Sequence, residues 1–107
     1  MRAVGPVHYR RGQFAYGTAT EGPLSERGVA SPKEFMRVGM ILDITHLCDQ
    51  SFFHALEVYE GPILASHHNC RAIVLGDRQL SDQQLKLLIE RNAVIGTAFD
   101  AWMMFPG

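Results

Sequence analysis

Two short apolar segments of the sequence each end in histidine. The first runs from Gly39 to His46 and the second from Gly61 to His68. A segment with helical periodicity separates them, so the pattern predicts a strand–helix–strand unit with two parallel strands side by side. Neighbouring strands lie ~4.8 Å apart, and sites in such sheets form at the carboxyl ends of the strands. We therefore expect His46 and His67 to reach a single ion or substrate.

Strand alternation separates His67 from the adjacent His68. In a strand over residues 63–67, His67 shares a face with Ile63 and Ala65, whereas His68 points the other way. Packing or hydrogen bonding behind the strand is the favoured interpretation of His68. Two imidazoles suit zinc, although a catalytic zinc usually has three protein ligands. Histidines that are satisfied by hydrogen bonds at strand ends are the alternative for His46 and His67.

The two cysteines of the sequence lie close to these histidines. The spacings His46-x-Cys48 and His68-x-Cys70 are compatible with a zinc cluster of histidine and cysteine ligands. They lack the C-x2-C arrangement of a zinc knuckle, so the signal is weak. We interpret Cys48 and Cys70 as small buried thiols. Without a secretory leader, two cysteines indicate a reducing compartment, so the sequence favours a cytoplasmic protein.

Length and composition limit the classes of protein that fit. The chain has 107 residues, enough for one domain, and it is 47% hydrophobic and 20% charged, which is typical of a globular protein. A net charge of −1 gives no indication of a nucleic-acid or acidic-membrane partner. No apolar run approaches the ~18 residues of a membrane span.

The periodicity of the sequence predicts a parallel α/β fold. Strands are predicted over residues 2–7, 40–45, 63–67 and 93–99, and helices after Ser31, over residues 49–59 and after Ser81. Ser31 is the preferred cap of the first helix because Pro32 and Glu34 follow it, although a turn beginning near Ser25 is the alternative. Right-handed crossovers then give four parallel strands with two open edges.

Several motifs, in order and at compatible spacing, resemble the membrane dipeptidase (renal dipeptidase-like) metallopeptidases of the amidohydrolase superfamily. The segments are DITHLCDQSFFHAL, GPILASHHNCRAI, DRQLSDQQLKLL and NAVIGTAF. The resemblance implies half of a TIM (β/α)8 barrel, with residues 1–107 forming a single partial barrel domain that carries strands four to seven. It also implies a two-zinc centre that hydrolyses dipeptides through a metal-bound hydroxide.

The same resemblance implies roles for four residues. His46, in the D-x-[ST]-H motif, and His67, in the S-H-x-N motif, correspond to two ligands of the second zinc. His8 corresponds to a histidine beside the scissile carbonyl of the substrate. Arg78 corresponds to the arginine that holds the terminal carboxylate, which a guanidinium can grip with two hydrogen bonds.

Two charged residues also have structural interpretations. Asp43 lies in an apolar strand, where a carboxylate needs a partner. It either supports a histidine ligand from behind or makes a structural hydrogen bond to a loop or helix N-terminus. Arg78 either binds substrate or forms a surface ion pair with Asp77 or Asp82, which would stabilise the fold little.

The sequence lacks several metal-binding residues of the family pattern, and this lowers the activity that we expect. The family's H-x-D motif, its bridging glutamate and its acidic residue on strand eight are missing from the sequence. We therefore expect a fragment or truncated relative that binds at most one zinc and has weak or no dipeptidase activity by itself. The alternative is a non-catalytic α/β module that covers its open edges as a homo-oligomer.

Overall fold

The structure is a computed structural model that describes residues 2–105, and it has the predicted α/β fold. The strands are β1 (Ala3–Val4), β2 (Ile41–Asp43), β3 (Ile63–His68) and β4 (Val94–Thr97); the helices are α1 (Glu26–Arg37), α2 (Asp49–Val58), α3 (Asp82–Glu90) and α4 (Ala101–Met104). The four strands are parallel and lie in the order β1-β2-β3-β4. No helix within the described range is long and apolar enough to cross a membrane.

Three of the four strands are shorter than the sequence predicts, whereas β3 extends one residue further, to His68. β1 covers only two residues of the predicted 2–7. Pro6 follows shortly after, and proline has no N–H to donate to a ladder. β2 ends at Asp43, and His46 then takes a left-handed backbone conformation with φ of 72°. His46 therefore follows the end of its strand, while His67 lies within β3.

Helix α1 begins earlier than predicted. Ser25 is the N-cap, with its hydroxyl accepting a hydrogen bond from the Gly28 N–H at 3.1 Å, so the preferred cap at Ser31 is wrong. Pro32 lies inside the helix, where its ring approaches the backbone of the residue four positions earlier. That residue is Gly28, where a side chain would collide with the Phe14 carbonyl. Because proline has no N–H, the Gly28 carbonyl also lacks the usual helical donor from residue 32. The helix ends before Gly39, whose φ of 70° suits glycine.

The core lies between the sheet and helices α1 to α3. Its best-buried side chains are large and apolar: Leu42, Ile44, Phe52, Tyr59 and Leu88. The hydroxyl of Tyr59 donates to the Met40 carbonyl at 2.6 Å, so this buried tyrosine has its polar atom satisfied. Helix α3 begins after Ser81, as predicted, with a capping box formed by Ser81 and Gln84. Ile89, near the end of this helix, is 67% exposed.

The apolar tail forms the short helix α4, in which Met103 is buried while Trp102 is 54% exposed. Residues 106 and 107, which follow this helix in the sequence, lie outside the described residues. Exposed apolar side chains continue onto the neighbouring edge strand β4, where Val94 is 66% exposed. This side of the sheet therefore presents both an open edge and apolar surface.

An ion pair fastens the loop after β3 to helices α2 and α3. The Arg71 guanidinium donates to both carboxylate oxygens of Asp49, at 2.7 and 2.8 Å, and Gln84 donates to the same carboxylate at 3.0 Å. The hydrogen bonds from Arg71, and then its charge, hold the pKa of Asp49 below its usual range despite partial burial. The carboxylate therefore stabilises the fold in its ionised form.

We expect Asp49→Asn to lower the free energy of unfolding by about 1 kcal/mol at pH 7, because the pair is bidentate but partly exposed. The pKa of Asp49 is depressed in the folded chain. Its contribution is thus complete above the unfolded value of ~3.9 and is lost as pH falls through the folded value. The difference between the urea midpoints of wild type and variant should be constant from pH 7 to pH 5 and should narrow progressively below ~3.9. Glu57→Gln, exposed on α2, is the matched control; a difference that grows as the pH falls would contradict the depressed pKa.

Candidate metal centre

The structure brings the two predicted histidines together at the carboxyl edge of the sheet. The Nε2 atoms of His46 and His67 lie 3.3 Å apart, and the rings meet edge to face with centroids 5.2 Å apart. His46 follows β2 and His67 lies in β3, so adjacent parallel strands place them as the sequence predicts.

The strand alternation predicted for β3 fails at its end. The pairing of β3 with β4 shifts register between Ala65 and His68. As a result His68 is buried like Ile63 and Ala65, whereas His67 is exposed at the edge. The prediction that His67 shares the face of Ile63 and Ala65 is therefore not seen in the burial pattern. The irregularity turns His67 toward His46 and leaves His68 packed inside.

His46 is held as a neutral imidazole. Burial, together with the charges of Arg78, His8 and His67, lowers the pKa of His46 to about 4. A neutral imidazole has a lone pair available for a metal ion. The backbone of His46 is left-handed, an unusual conformation for a non-glycine residue that is often found at functional sites.

Two hydroxyl groups, both missed by the sequence analysis, contact the outer nitrogens of the pair. Thr18 Oγ1 lies 3.1 Å from His46 Nδ1, and Ser66 Oγ lies 2.9 Å from His67 Nδ1. Histidine ligands in metal sites generally use their second nitrogen in this way. Ser66 could have been identified from the sequence, because it is the serine of the S-H-x-N motif. No pattern distinguishes Thr18 from the other residues of the glycine-rich loop, residues 12–24.

The backbone of loop 12–24 is what places Thr18. The Thr18 N–H donates to the His8 carbonyl at 3.1 Å, so the loop folds back on the end of the first segment. A side chain at Gly17 would collide with that same carbonyl, which explains the glycine there. The loop is also anchored to the segment that carries Arg78, since the Ala19 N–H donates to Asp77 at 2.8 Å.

Asp43 makes structural hydrogen bonds to the turn after β2 and to the neighbouring strand β3, rather than to a helix N-terminus. Its Oδ1 accepts from the Thr45 N–H at 3.1 Å and from the Ser66 N–H at 3.2 Å. Burial opposes ionisation, but the hydrogen bonds from Ser66 and Thr45 outweigh it and hold the pKa of Asp43 below its usual value. Among its hydrogen bonds none goes directly to His46 or His67; any support for them passes through Ser66.

His8 and Tyr9 lie against His46 on the outer side. The ring of His8 is 3.9 Å from that of His46, centroid to centroid, with the planes tilted by 52°. Tyr9 packs on both rings, at 4.7 Å from His8 and 5.1 Å from His46, and is half exposed. His8 is also exposed, so its ring is available to a substrate held beside His46.

Arg78 is a buried cation rather than the surface ion pair offered as its alternative. It is 3% exposed, and its Nη2 donates to the His67 carbonyl at 3.1 Å. Its Nη1 is buried without a hydrogen-bond partner in the part of the chain that the structure describes. Burial lowers the pKa of Arg78, whereas the Tyr9 hydroxyl opposes that change. An unpaired guanidinium beside His67 is suited to an anionic partner.

The remaining candidates have structural roles. Cys48 is buried and caps α2, with its sulfur accepting from the Ser51 N–H at 3.4 Å. Cys70 is half-buried, and both thiols are free. His68 is packed inside, and burial lowers its pKa to about 3. His54, on α2, accepts a hydrogen bond from the Leu24 N–H at 3.2 Å.

The imidazoles of His46 and His67 are suitable metal ligands in type, but two ligands are fewer than a catalytic zinc ion usually has. Two neutral imidazoles, each with its second nitrogen on a hydroxyl, have the chemistry of zinc ligands. Across residues 2–105, however, no group of three or more histidine, cysteine, aspartate or glutamate side chains is arranged to hold a metal. The geometry therefore defines part of a metal centre in an α/β protein.

Comparison with known proteins identifies the family. A sequence model of the membrane dipeptidase family (peptidase family M19) matches residues 7–104, and the chain therefore belongs to this family. It is 28% identical to the dipeptidase tcpJ of Claviceps purpurea over 96% of its own length and 25% of that protein. It is 27% identical to the dipeptidase verJ of Clonostachys rogersoniana over 92% of its length and 26% of that protein.

Solved structures agree with the sequence comparison. The fold matches a metallopeptidase from Rhodobacter sphaeroides, solved with a phosphinate mimic of the dipeptide L-Ala-D-Ala, with a TM-score of 0.91 and 28% identity. The match covers 96% of this chain and 32% of that one. The chain thus spans about a third or less of the length of these relatives. The chain therefore belongs to a dipeptidase family and corresponds to only part of each of these relatives.

Proposed function

We propose that the chain supplies one zinc-binding pair and the substrate-carboxylate site of a dipeptidase, as a segment of a (β/α)8 barrel. The observation that carries this proposal is the 3.3 Å approach of His46 and His67 Nε2, with both outer nitrogens held by hydroxyls. Family membership supports it, because the relatives include dipeptidases and metallopeptidases.

The position of each candidate residue suggests its role in binding the metal or the substrate. His46 and His67 would hold the metal, which when bound polarises a peptide carbonyl and lowers the pKa of water. His8, exposed against His46, is placed to donate a hydrogen bond to the carbonyl oxygen of a substrate. Arg78 is buried, and its Nη1 has no hydrogen-bond partner among the described residues, so it would attract the terminal carboxylate. A dipeptide carries both of these groups.

A second candidate function is a non-catalytic module that associates with other polypeptides. Its supporting observation is the apolar surface on the β4 side, where Phe99 is 80% and Phe105 66% exposed. Clusters of this kind mark interaction surfaces more often than free surfaces of monomers. Two histidines alone are also fewer than the three protein ligands of an ordinary catalytic zinc.

Metal analysis of the purified chain separates the two candidates. We expect one zinc or less per chain after equilibration with the metal and removal of excess. With zinc present, hydrolysis of L-Ala-D-Ala should stay at the background rate, because the carboxylate ligands of the family's centre are missing from the sequence. No retained zinc would favour the module. Turnover that disappears in a His46 variant would show instead that the chain is an active enzyme.

A further inference from the structure

A cleft of about 310 Å³ lies between strands β3 and β4 and helices α3 and α4. Its lining includes His68 of β3, Ile95 of β4 and Met103 of α4. Neither His46 nor His67 lines it, so the cleft is separate from the candidate metal centre. Small-molecule sites in proteins have volumes of roughly 300–1,000 Å³, so this cleft is large enough for a ligand.

The cleft has a buried apolar floor and an opening to solvent. Val74, Leu80 and Met103 line it and are almost fully buried. Ile73 and Met104 also line it, and both are exposed. An apolar cavity of ~150 Å³ is enough to bind benzene. The cleft therefore has room for one aromatic ring with a substituent, and the exposed side provides a way in.

One buried polar atom at the cleft has no partner. His68 is 5% exposed, and its Nδ1 makes no hydrogen bond within residues 2–105. A buried nitrogen without a partner costs free energy. Asn69 also lines the cleft, but its amide already donates to the Ala98 and Met103 carbonyls, at 2.9 and 3.2 Å. The Nδ1 of His68 is therefore the buried polar atom that a bound molecule would satisfy.

The lining defines the chemistry of a ligand that fits. A neutral imidazole nitrogen donates or accepts according to its tautomer, whereas a hydroxyl does both. A hydroxyl therefore pairs with His68 Nδ1 in either tautomer. Among the described residues no charged side chain lines the cleft, so a charged ligand would lose its hydration without gaining an ion pair. The matching ligand is a neutral aromatic ring that carries a hydroxyl.

We propose that this cleft is a binding site for small uncharged phenols, with His68 as the residue that orients them. The ring of the ligand packs on the floor formed by Val74, Leu80 and Met103, which removes its apolar surface from water. Its hydroxyl pairs with His68 Nδ1. The inference goes beyond the proposed function and does not depend on a bound metal.

Phenol and toluene are matched compounds for a test, because they have similar size and only phenol carries a hydroxyl. The full chain is titrated with each at pH 8, where a phenol of pKa ~10 is uncharged, and 1H–15N spectra give the affinities. We expect saturable amide shifts at Val74, Leu80 and Met103 with both compounds. The His68 ring 15N resonances should change with phenol but not with toluene, and benzoate should give no saturable shifts.

Two outcomes of these titrations would overturn the proposal. Failure of both neutral compounds to saturate would mean that the cleft is not a binding site. An unchanged His68 ring signal with phenol would mean that water alone satisfies this nitrogen.

His68→Phe keeps an aromatic ring and removes the nitrogen. Phenol affinity should fall about three- to tenfold, the contribution of one hydrogen bond, whereas toluene affinity should stay within about twofold of wild type. An equal loss for both compounds, or no loss for phenol, would contradict the role of His68.

Ile95→Trp tests the position of the cleft without changing its buried floor. The larger ring fills the cleft, so saturable binding of both compounds should disappear. Val94→Trp, at the preceding residue of β4 and outside the lining, is the control and should bind as wild type does. Binding that survives Ile95→Trp, or that is lost equally in Val94→Trp, would place the site elsewhere. A phenol affinity that falls as protein concentration rises would show that a second copy covers the cleft, and would also overturn the proposal.

Discussion

Replacing either histidine of the pair should abolish tight zinc binding. We expect His46→Asn and His67→Ala to weaken zinc affinity by more than about 100-fold, because loss of a partner behind a ligand already costs 10–100-fold. Asparagine is chosen at position 46 since it tolerates the left-handed backbone, with φ of 72°, better than alanine. Zinc affinity is measured by competition with a chelating dye, and the zinc-dependent rise in Tm provides a second measurement.

A histidine outside the site is the proper control for these variants. His54 lies on α2 and accepts a hydrogen bond from the Leu24 N–H. His54→Gln keeps an acceptor there, so zinc affinity should stay within about twofold of wild type. If His54→Gln weakens zinc binding as much as His46→Asn does, the pair is not the site. Zinc that survives both His46 and His67 substitutions would lead to the same conclusion.

Truncating Phe52 should produce the largest loss of stability. Its side chain is 1% exposed and belongs to the core between α2 and the sheet. Phe52→Ala should lower the free energy of unfolding by about 3–5 kcal/mol, the usual cost of removing a buried ring and leaving a cavity. Domains of this size are stable by ~5–15 kcal/mol, so the variant could lose most of its stability. Urea denaturation followed by circular dichroism measures the change.

The chain offers a matched phenylalanine for comparison. Phe99 follows β4 and is 80% exposed. Phe99→Ala should change the free energy of unfolding by no more than about 0.5 kcal/mol, as is usual for exposed positions. Similar losses for Phe52→Ala and Phe99→Ala would mean that the core is not where the structure places it, or that Phe99 is covered in solution by another chain.

The regular parts of the fold could be predicted because their signals are local. Apolar segments with a crossover between them are enough to predict adjacent parallel strands. This pattern therefore predicted that His46 and His67 would lie close together. The helix predicted after Ser81 is likewise confirmed. The start of helix α1 was predicted too late because proline is common in the first turn of a helix, whereas Pro32 lies in the interior of α1.

The features that were missed depend on contacts between distant segments. Thr18 reaches His46 across 28 residues, through a loop whose path is set by the close approach at Gly17. The register shift near His68 depends on the pairing of β3 with β4, which strand alternation within β3 cannot reveal. Arg78 is buried, and its neighbour Asp77 accepts a hydrogen bond from Ala19, which lies 58 residues earlier in the chain. None of these contacts leaves a periodic signal in the sequence.

The 21-residue separation between His46 and His67 also bears on how the chain folds. Both belong to a single βαβ unit, and closing a loop of this length costs little entropy compared with joining distant parts of a chain. The two imidazoles therefore meet as soon as β2, α2 and β3 assemble, before any long-range contact is needed. A metal ion captured at that stage would cross-link the unit and speed folding, rather than only slow unfolding.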